Sequence, residues 1–140
     1  MPSAIPIRGL RHLALNATDL PKSLAFYQKF FQMKVVWQPD ADNVYLSSGV
    51  DNLALHQIPQ DEIESYQNRN GQFLDHLGFL MDSPASVDQL FEVVQAEGVR
   101  IVHLPKQHRD GSYSFYLADP DNLTVQVIYE PTISRLGHTE

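Results

Sequence analysis

Six histidines are the residues of this 140-residue chain best suited to chemistry, because the sequence contains no cysteine. Without thiolates there is no disulfide, no cysteine nucleophile and no cysteine-based zinc site, so any metal needs nitrogen or oxygen ligands. His12 and His56 stand in short runs where they alternate with leucine and alanine. An imidazole on such a strand can bind a metal ion through one nitrogen, although a single histidine there is more often structural.

A second group of polar residues lies in the segment KQHRDGS, beside a predicted Asp-Gly turn. Lys106 and Arg109 could bind an anionic substrate, and His108 could act as a titratable base. A solvated hairpin is the interpretation that we favour for this segment. Tyr116, on the next predicted strand, could donate a hydrogen bond to a developing oxyanion, although a tyrosine there is more often part of the core.

Composition and charge restrict the class of protein. A formal net charge of −7 with no run of Lys or Arg argues against a nucleic-acid partner. No apolar run approaches the ~20 residues of a membrane span, and the first ten residues resemble no signal peptide, so we expect a cytoplasmic protein. A hydrophobic content of 43% is enough for one core.

The elements that would position these residues repeat along the chain. Residues 11–31 open with a short alternating strand and continue as an amphipathic helix, with Thr18 or Asp19 as its N-cap. Residues 75–98 repeat this pattern, with a strand from His76, then Ser83-Pro84 as a helix start and Gly98 as a stop. Each helix is followed by three strand-like stretches, so the chain predicts an α+β fold of two tandem β-α-β-β-β modules.

We place the two modules at residues 8–58 and 73–131, joined by the polar linker 59–72. Neither module alone would cover both faces of its sheet, so we expect one domain over residues 8–131. The aromatic residues are expected to fill the helix–sheet interfaces, and the remaining histidines to be structural or disordered. The aromatic residues expected at these interfaces are Phe26, Phe30, Trp37, Phe73 and Phe79, and the histidines expected to be structural or disordered are His103 and His138.

A duplicated unit with a histidine on the first strand of each half, and the phrase DPDN before the last strand, resembles the vicinal oxygen chelate superfamily. This family includes glyoxalases, bleomycin-resistance proteins and extradiol dioxygenases. The resemblance covers about residues 8–131 and implies curved mixed sheets around a cavity, a bound divalent metal and a homodimer. It also implies metal ligands on the first and last strands of each half.

Carried over to this chain, the first-strand ligands are His12 and His76, and the last-strand ligand of the first half is His56. Asn52-Leu53 and Asn122-Leu123 lie 70 residues apart, and the same offset from His56 leads to Gln126.

Many members of the family carry glutamate at the position of Gln126. Three imidazoles and an amide are neutral ligands, so they would leave the positive charge of a divalent ion uncompensated, which favours an anionic or chelating substrate. Zinc, nickel and iron suit such a ligand set. Gln126 argues against glyoxalase I, which relies on a metal-bound glutamate as base, and against extradiol dioxygenases, which generally use two histidines and a carboxylate.

The sequence and the resemblance together predict a metal-dependent lyase or isomerase that acts on a small oxygenated metabolite. His108 and Tyr116 are the candidate catalytic residues, and Lys106 and Arg109 the candidate substrate contacts. A metal-free protein that binds or sequesters a small molecule, as in bleomycin resistance, is the alternative. A ring-cleaving dioxygenase is a third hypothesis, which oxygen consumption with Fe(II) and catechols would test.

Overall fold

Within residues 5–68 and 70–134, the computed structural model of the protein contains eight strands and three α-helices. His138 lies outside these residues. None of the helices described is long and apolar enough to cross a membrane. In chain order the elements are β1 (His12–Ala17), α1 (Leu20–Phe31), β2 (Lys34–Asp40), β3 (Asn43–Ser47), β4 (Asn52–Gln57), a 3-10 turn (Gln60–Glu62), α2 (Ile63–Gln67), β5 (Leu77–Leu80), α3 (Pro84–Ala96), β6 (Ile101–Gln107), β7 (Tyr113–Ala118) and β8 (Thr124–Tyr129).

The strands form two four-stranded mixed sheets of the same topology. Sheet 1 has the order β1-β4-β3-β2, and sheet 2 has the order β5-β8-β7-β6. In each sheet the first strand runs parallel to the last, and the other neighbours are antiparallel. This repeated order confirms the predicted α+β fold of tandem β-α-β-β-β modules. The described part of the predicted linker, residues 59–72, contains a 3-10 turn and the short helix α2.

Capping residues set the starts of the two long helices. Asp19 is the N-cap of α1, and its carboxylate accepts a hydrogen bond from the Lys22 amide at 3.2 Å. Ser83 caps α3 in a reciprocal arrangement with Ser86, so each side chain bonds the other residue's backbone. Gly98, with φ of 77°, follows α3 in a left-handed conformation that glycine adopts without strain.

One face of each sheet packs against helices, and the two modules share one core. Phe31 of α1 stacks on Phe79 of β5, with ring centroids 3.9 Å apart. Two aromatic residues that we expected in the core are outside it, since Trp37 is 51% exposed and Phe73 is fully exposed. Trp37 is exposed because it lies on β2, the edge strand of sheet 1, every residue of which is exposed.

Two polar contacts tie the modules together beneath this core. The Tyr27 hydroxyl donates to the Asp119 carboxylate at 2.9 Å, and the Thr18 amide donates to Asp121 at 3.1 Å. Both Tyr27 and Asp119 are buried, and burial raises the pKa of each. The Asp119 carboxylate accepts three hydrogen bonds, from the Tyr27 hydroxyl and from the amides of Asp121 and Leu123. These bonds offset the cost of burying the carboxylate.

Replacing Tyr27 with Phe should lower the free energy of unfolding by about 1–3 kcal/mol, because a buried carboxylate oxygen loses its donor. The Tyr27 hydrogen bond lowers the pKa of Asp119, whereas burial raises it above the unfolded value. The folded variant should therefore bind a proton at Asp119 more tightly than the folded wild type. Its loss in free energy of unfolding, relative to the wild type, should grow as pH rises from 4 to 7. Urea unfolding at both pH values measures this. Tyr113→Phe is the matched control, since its hydroxyl bonds Asp88 at the surface, and an equal loss in both variants would contradict the expectation.

Candidate functional site

The faces of the two sheets turned away from the helices carry the candidate site residues; we call them the open faces. Side chains alternate along a strand, and the buried leucines and valines define the opposite face. On sheet 1, the ring of Tyr45 contacts both His12 and Trp37, which places the three on one face. On sheet 2, the ring of Tyr116 lies between His76 and His103, at centroid distances of 5.4 and 5.3 Å.

Sheet 2 brings together all the predicted site residues of the second module. They line a groove of about 710 Å³ on its open face. The lining includes His76, Lys106, His108, Arg109, Tyr116 and Gln126. Lys106 and Arg109 are exposed at the groove, so their positive charges are available to an anion. The turn that carries Arg109 is closed by Asp110, which accepts a hydrogen bond from the Ser112 amide; hydrogen bonding with Ser112 lowers the pKa of Asp110.

A chain of hydrogen bonds runs through the centre of this groove. Gln126, 8% exposed, donates from Nε2 to Ser114 Oγ at 3.1 Å and to the Tyr116 hydroxyl at 3.0 Å. His108 Nε2 lies 3.0 Å from the same Ser114 hydroxyl. With Nε2 engaged twice, Oε1 of Gln126 is left without a partner among the described residues. Burial, and then the charge of Asp75, raise the pKa of Tyr116, which keeps its hydroxyl protonated as a donor.

The sequence did not lead us to Ser114 or His103. Ser114 is buried and bonds both His108 and Gln126, and the alternation in SYSFYLA was the available signal, since it places Ser114 and Tyr116 on one face. His103, which we expected to be structural or disordered, is exposed on β6 and lines a neighbouring depression of about 470 Å³. Its contact with Tyr116 brings it next to the groove.

The three histidines predicted as ligands share one arrangement. Nδ1 of His12, His56 and His76 lies 2.6 to 2.7 Å from a side-chain oxygen. The oxygens belong to Asn52, Asn43 and Asp75, respectively. An oxygen acceptor at Nδ1 holds the proton on that nitrogen, so the lone pair of a neutral imidazole is on Nε2. Metal-binding histidines are typically oriented in this way.

The strand register does not support His12 and His56 as ligands of one ion, because it separates them along the strands. β1 and β4 are parallel neighbours, and His12 pairs with Asn52, four residues before His56. Four residues along a strand span about 13 Å. Among residues 5–68 and 70–134, no three His, Asp or Glu side chains form a group that could hold a metal ion.

The strand register also corrects the relation between the modules. Two residues after the first-strand histidine of each half, Ala14 pairs with Ala54 and Gly78 pairs with Gln126. The structural counterpart of Gln126 is therefore Ala54, and His56 lies two residues beyond it. Since alanine has no donor atom, the last-strand position of the first module offers no metal ligand.

His76 and Gln126 remain a compatible pair. Leu77 pairs with Val125 and Gly78 with Gln126, so His76, directly before β5, is offset by two residues from Gln126. Both residues contact Tyr116 on the open face. A diagonal separation of about 7–8 Å lets long side chains converge on one ion. The free Nε2 of His76 and the free Oε1 of Gln126 suit a divalent cation. Sheet 2 thus carries a candidate half-site with two possible ligands, and His12 is the single candidate ligand on sheet 1.

The chain matches the family model of the Glyoxalase/Bleomycin resistance protein/Dioxygenase superfamily over residues 9–127. Among curated proteins, it is 26% identical to the uncharacterized protein YqjT of Bacillus subtilis, covering 85% of this chain and 97% of YqjT. It is also 26% identical to a putative lactoylglutathione lyase of Brassica oleracea, covering 86% of this chain but only 44% of that protein.

Solved structures share the fold. A lactoylglutathione lyase from Agrobacterium tumefaciens superposes with a TM-score of 0.71 at 26% identity, covering 89% of this chain and 96% of that one. The fosfomycin resistance protein FosX from Listeria monocytogenes superposes with a TM-score of 0.72 at 21% identity, covering 93% and 99%. With most of its length matched by the family model and the same fold, the chain belongs to the Glyoxalase/Bleomycin resistance protein/Dioxygenase superfamily.

Proposed function

We propose that this protein is a metal-dependent enzyme of the lyase or isomerase type, acting on a small oxygenated metabolite that chelates the ion. His12, His76 and Gln126 would hold the ion, and zinc, nickel and iron suit these donors. When bound, the ion would supply Lewis-acid polarisation of a ligand oxygen. The proposal keeps three of the four ligands predicted from the sequence and omits His56.

The observation that carries the proposal is that hydrogen bonds orient the side chains of the three candidate ligands. His12 and His76 are both anchored through Nδ1, and Gln126 is anchored through its amide nitrogen by two hydroxyls. In each residue the anchored atom leaves the metal-binding atom free. A metal ligand needs such an arrangement, because it orients the donor atom before the ion arrives.

The groove on sheet 2 supports an anionic substrate. Lys106 and Arg109 supply positive charge at its edge, and Tyr116 supplies a protonated hydroxyl beside Gln126. His108 is placed to accept or return a proton through Ser114. Three neutral ligands would leave the ion with its full charge, which also favours an anion or a chelating pair of oxygens.

We propose that two copies of the chain complete the site, with His12 of one copy joining His76 and Gln126 of the other. Within one chain the half-sites lie on different sheets, and the groove is lined by residues of the second module only. Several apolar side chains near the open faces are exposed, as expected of a surface that is covered in a dimer. They include Trp37, Leu80 and Leu104.

Ala54 favours a second candidate, a metal-free protein that binds or sequesters a small molecule. A site that lacks a fourth ligand and any carboxylate binds a metal more weakly than a site with four protein ligands that include a carboxylate. In that case the cationic groove would bind an anion directly, and no reaction would follow.

Metal analysis of the untagged protein separates the two candidates. We expect about one divalent ion per chain by inductively coupled plasma mass spectrometry, and loss of most of it in His76→Ala. His103→Ala is the matched control, because His103 contacts the same Tyr116 ring but no side chain among the described residues anchors its nitrogens. This variant should retain the ion. A wild-type protein that binds no added zinc, nickel or iron would contradict the enzyme proposal and support the second candidate.

A further inference from the structure

His56 is left without a role by the geometry of the metal ligands, yet it is held as firmly as they are. It is half-buried near the end of β4, on the open face of sheet 1, where it pairs with Asn16 of β1 and Asn43 of β3. Nδ1 lies 2.7 Å from Asn43 Oδ1. Asn43 in turn donates from Nδ2 to both carboxylate oxygens of Asp40, at 2.9 and 3.2 Å.

This chain of contacts determines which nitrogen of His56 carries the proton. The ionised carboxylate of Asp40 can only accept, so the amide nitrogen of Asn43 must face it. The amide oxygen of Asn43 therefore faces His56, and because that oxygen also only accepts, Nδ1 must carry the hydrogen. Nε2 of the neutral ring is left with its lone pair and has no partner among the described residues.

The position of His56 indicates what it could bind. It lies about 13 Å along the strand direction from the level of His12, so it cannot share the ion. It shares the open face with His12, Ala14, Asn16 and Ala54. Ala54 is buried, but its exposed neighbour Ala14 lies between the levels of the two histidines, and the exposed Asn16 lies beside His56. An extended ligand could therefore reach from one histidine to the other along this face.

We propose that His56 is a specificity-determining acceptor, which binds an O–H or N–H group at the far end of an extended ligand and is positioned by Asp40 through Asn43. The ligand class is a molecule with chelating oxygens at one end and a hydrogen-bond donor at the other. The ligand class rests on the proposed function; the orientation of His56 does not.

Long-range proton–nitrogen correlation spectra of the full-length ¹⁵N-labelled protein test the orientation. At a pH where the ring is neutral, His56 should be almost entirely in the Nδ1–H form. Asn43→Ala should shift the ring to a mixture of forms, and Asp40→Ala, at an exposed position, should do so in part. Asn52→Ala is the matched control, since it removes the anchor of His12 and should leave His56 unchanged. A wild-type His56 in the Nε2–H form would overturn the proposal.

Two further measurements test the role. Phenol should shift the Nε2 resonance of His56, whereas anisole, which has the same ring without a donor, should not; equal or absent responses would overturn the acceptor role. His56→Ala should keep the metal content of the wild type, and loss of the metal would show that His56 is a ligand. If the wild type binds no metal, the proposed function fails, but the phenol and tautomer measurements still decide the role of His56.

Discussion

Replacing Gln126 with Glu should raise the affinity for a divalent ion by about tenfold to a hundredfold, equivalent to about 1.4–2.8 kcal/mol. The replacement keeps the length of the side chain and adds a negative charge next to a cation in a buried position, where charges interact strongly. Both hydrogen-bond partners of the amide nitrogen are hydroxyls, so Ser114 and Tyr116 can rotate to donate to the new carboxylate. Isothermal titration with zinc and nickel measures the change.

The control for this substitution is Gln107→Glu. Gln107 lines the same groove but is exposed on β6. The substitution Gln107→Glu therefore adds the same negative charge away from the proposed ligand positions. Only a small, salt-sensitive effect is expected there. Equal gains in both variants would mean that general electrostatic attraction, and not ligation by residue 126, accounts for the affinity. A loss of affinity in Gln126→Glu would contradict the assignment of Gln126 as a ligand.

The fold could be predicted from the sequence because its signals are local. Asp19 and Ser83 mark the helix starts, and the change of period from 2 to 3.6 separates each first strand from its helix. The repetition of this pattern, together with the family resemblance, defined the modules. The exposure of Trp37 could not be predicted in the same way, because it depends on β2 lying at the edge of sheet 1.

The strand register does not support His56 as the counterpart of Gln126, for a specific structural reason. The offset between modules was measured from two Asn-Leu pairs, but the two asparagines play different parts. Asn52 begins β4, whereas Asn122 lies in the turn before β8, with a left-handed φ of 63°. The turn is held by Asp119, which accepts from the Leu123 amide. Two more residues therefore lie between this asparagine and the strand in the second module than in the first. A two-residue error in the offset keeps the predicted residue on the same face of the strand but assigns it the wrong counterpart in the other module.

Contacts between distant strands account for the rest of what the sequence did not predict. The segment KQHRDGS was interpreted as a solvated hairpin, and Lys106 and Arg109 are indeed exposed. His108, however, is half-buried and bonds Ser114 across the hairpin. Neither this contact nor the bond from Ser114 to Gln126 follows from a local pattern, since each depends on the register between strands. The distribution of the candidate ligands over two sheets is likewise a property of the topology.

Because His12 lies on one sheet and His76 and Gln126 on the other, two metal-deficient variants should complement each other if sites form between copies. Co-expression of His12→Ala with His76→Ala produces half of the dimers as mixed pairs. In each mixed pair, one of the two sites receives an intact His12 and an intact His76. The preparation should then bind about a quarter of the wild-type metal, whereas each variant alone binds almost none.

A third variant makes this result specific to the proposed half-sites. His76→Ala with Gln126→Ala should not complement, because both residues lie on sheet 2 and every site in a mixed dimer lacks one of them. His12→Ala with Gln126→Ala should complement like the first pair. Sites built within a single chain predict no recovery in any combination. Recovery in the mixture of His76→Ala with Gln126→Ala would mean that His76 and Gln126 of one chain belong to different sites. Metal content measured across the three mixtures therefore assigns each ligand to its half-site.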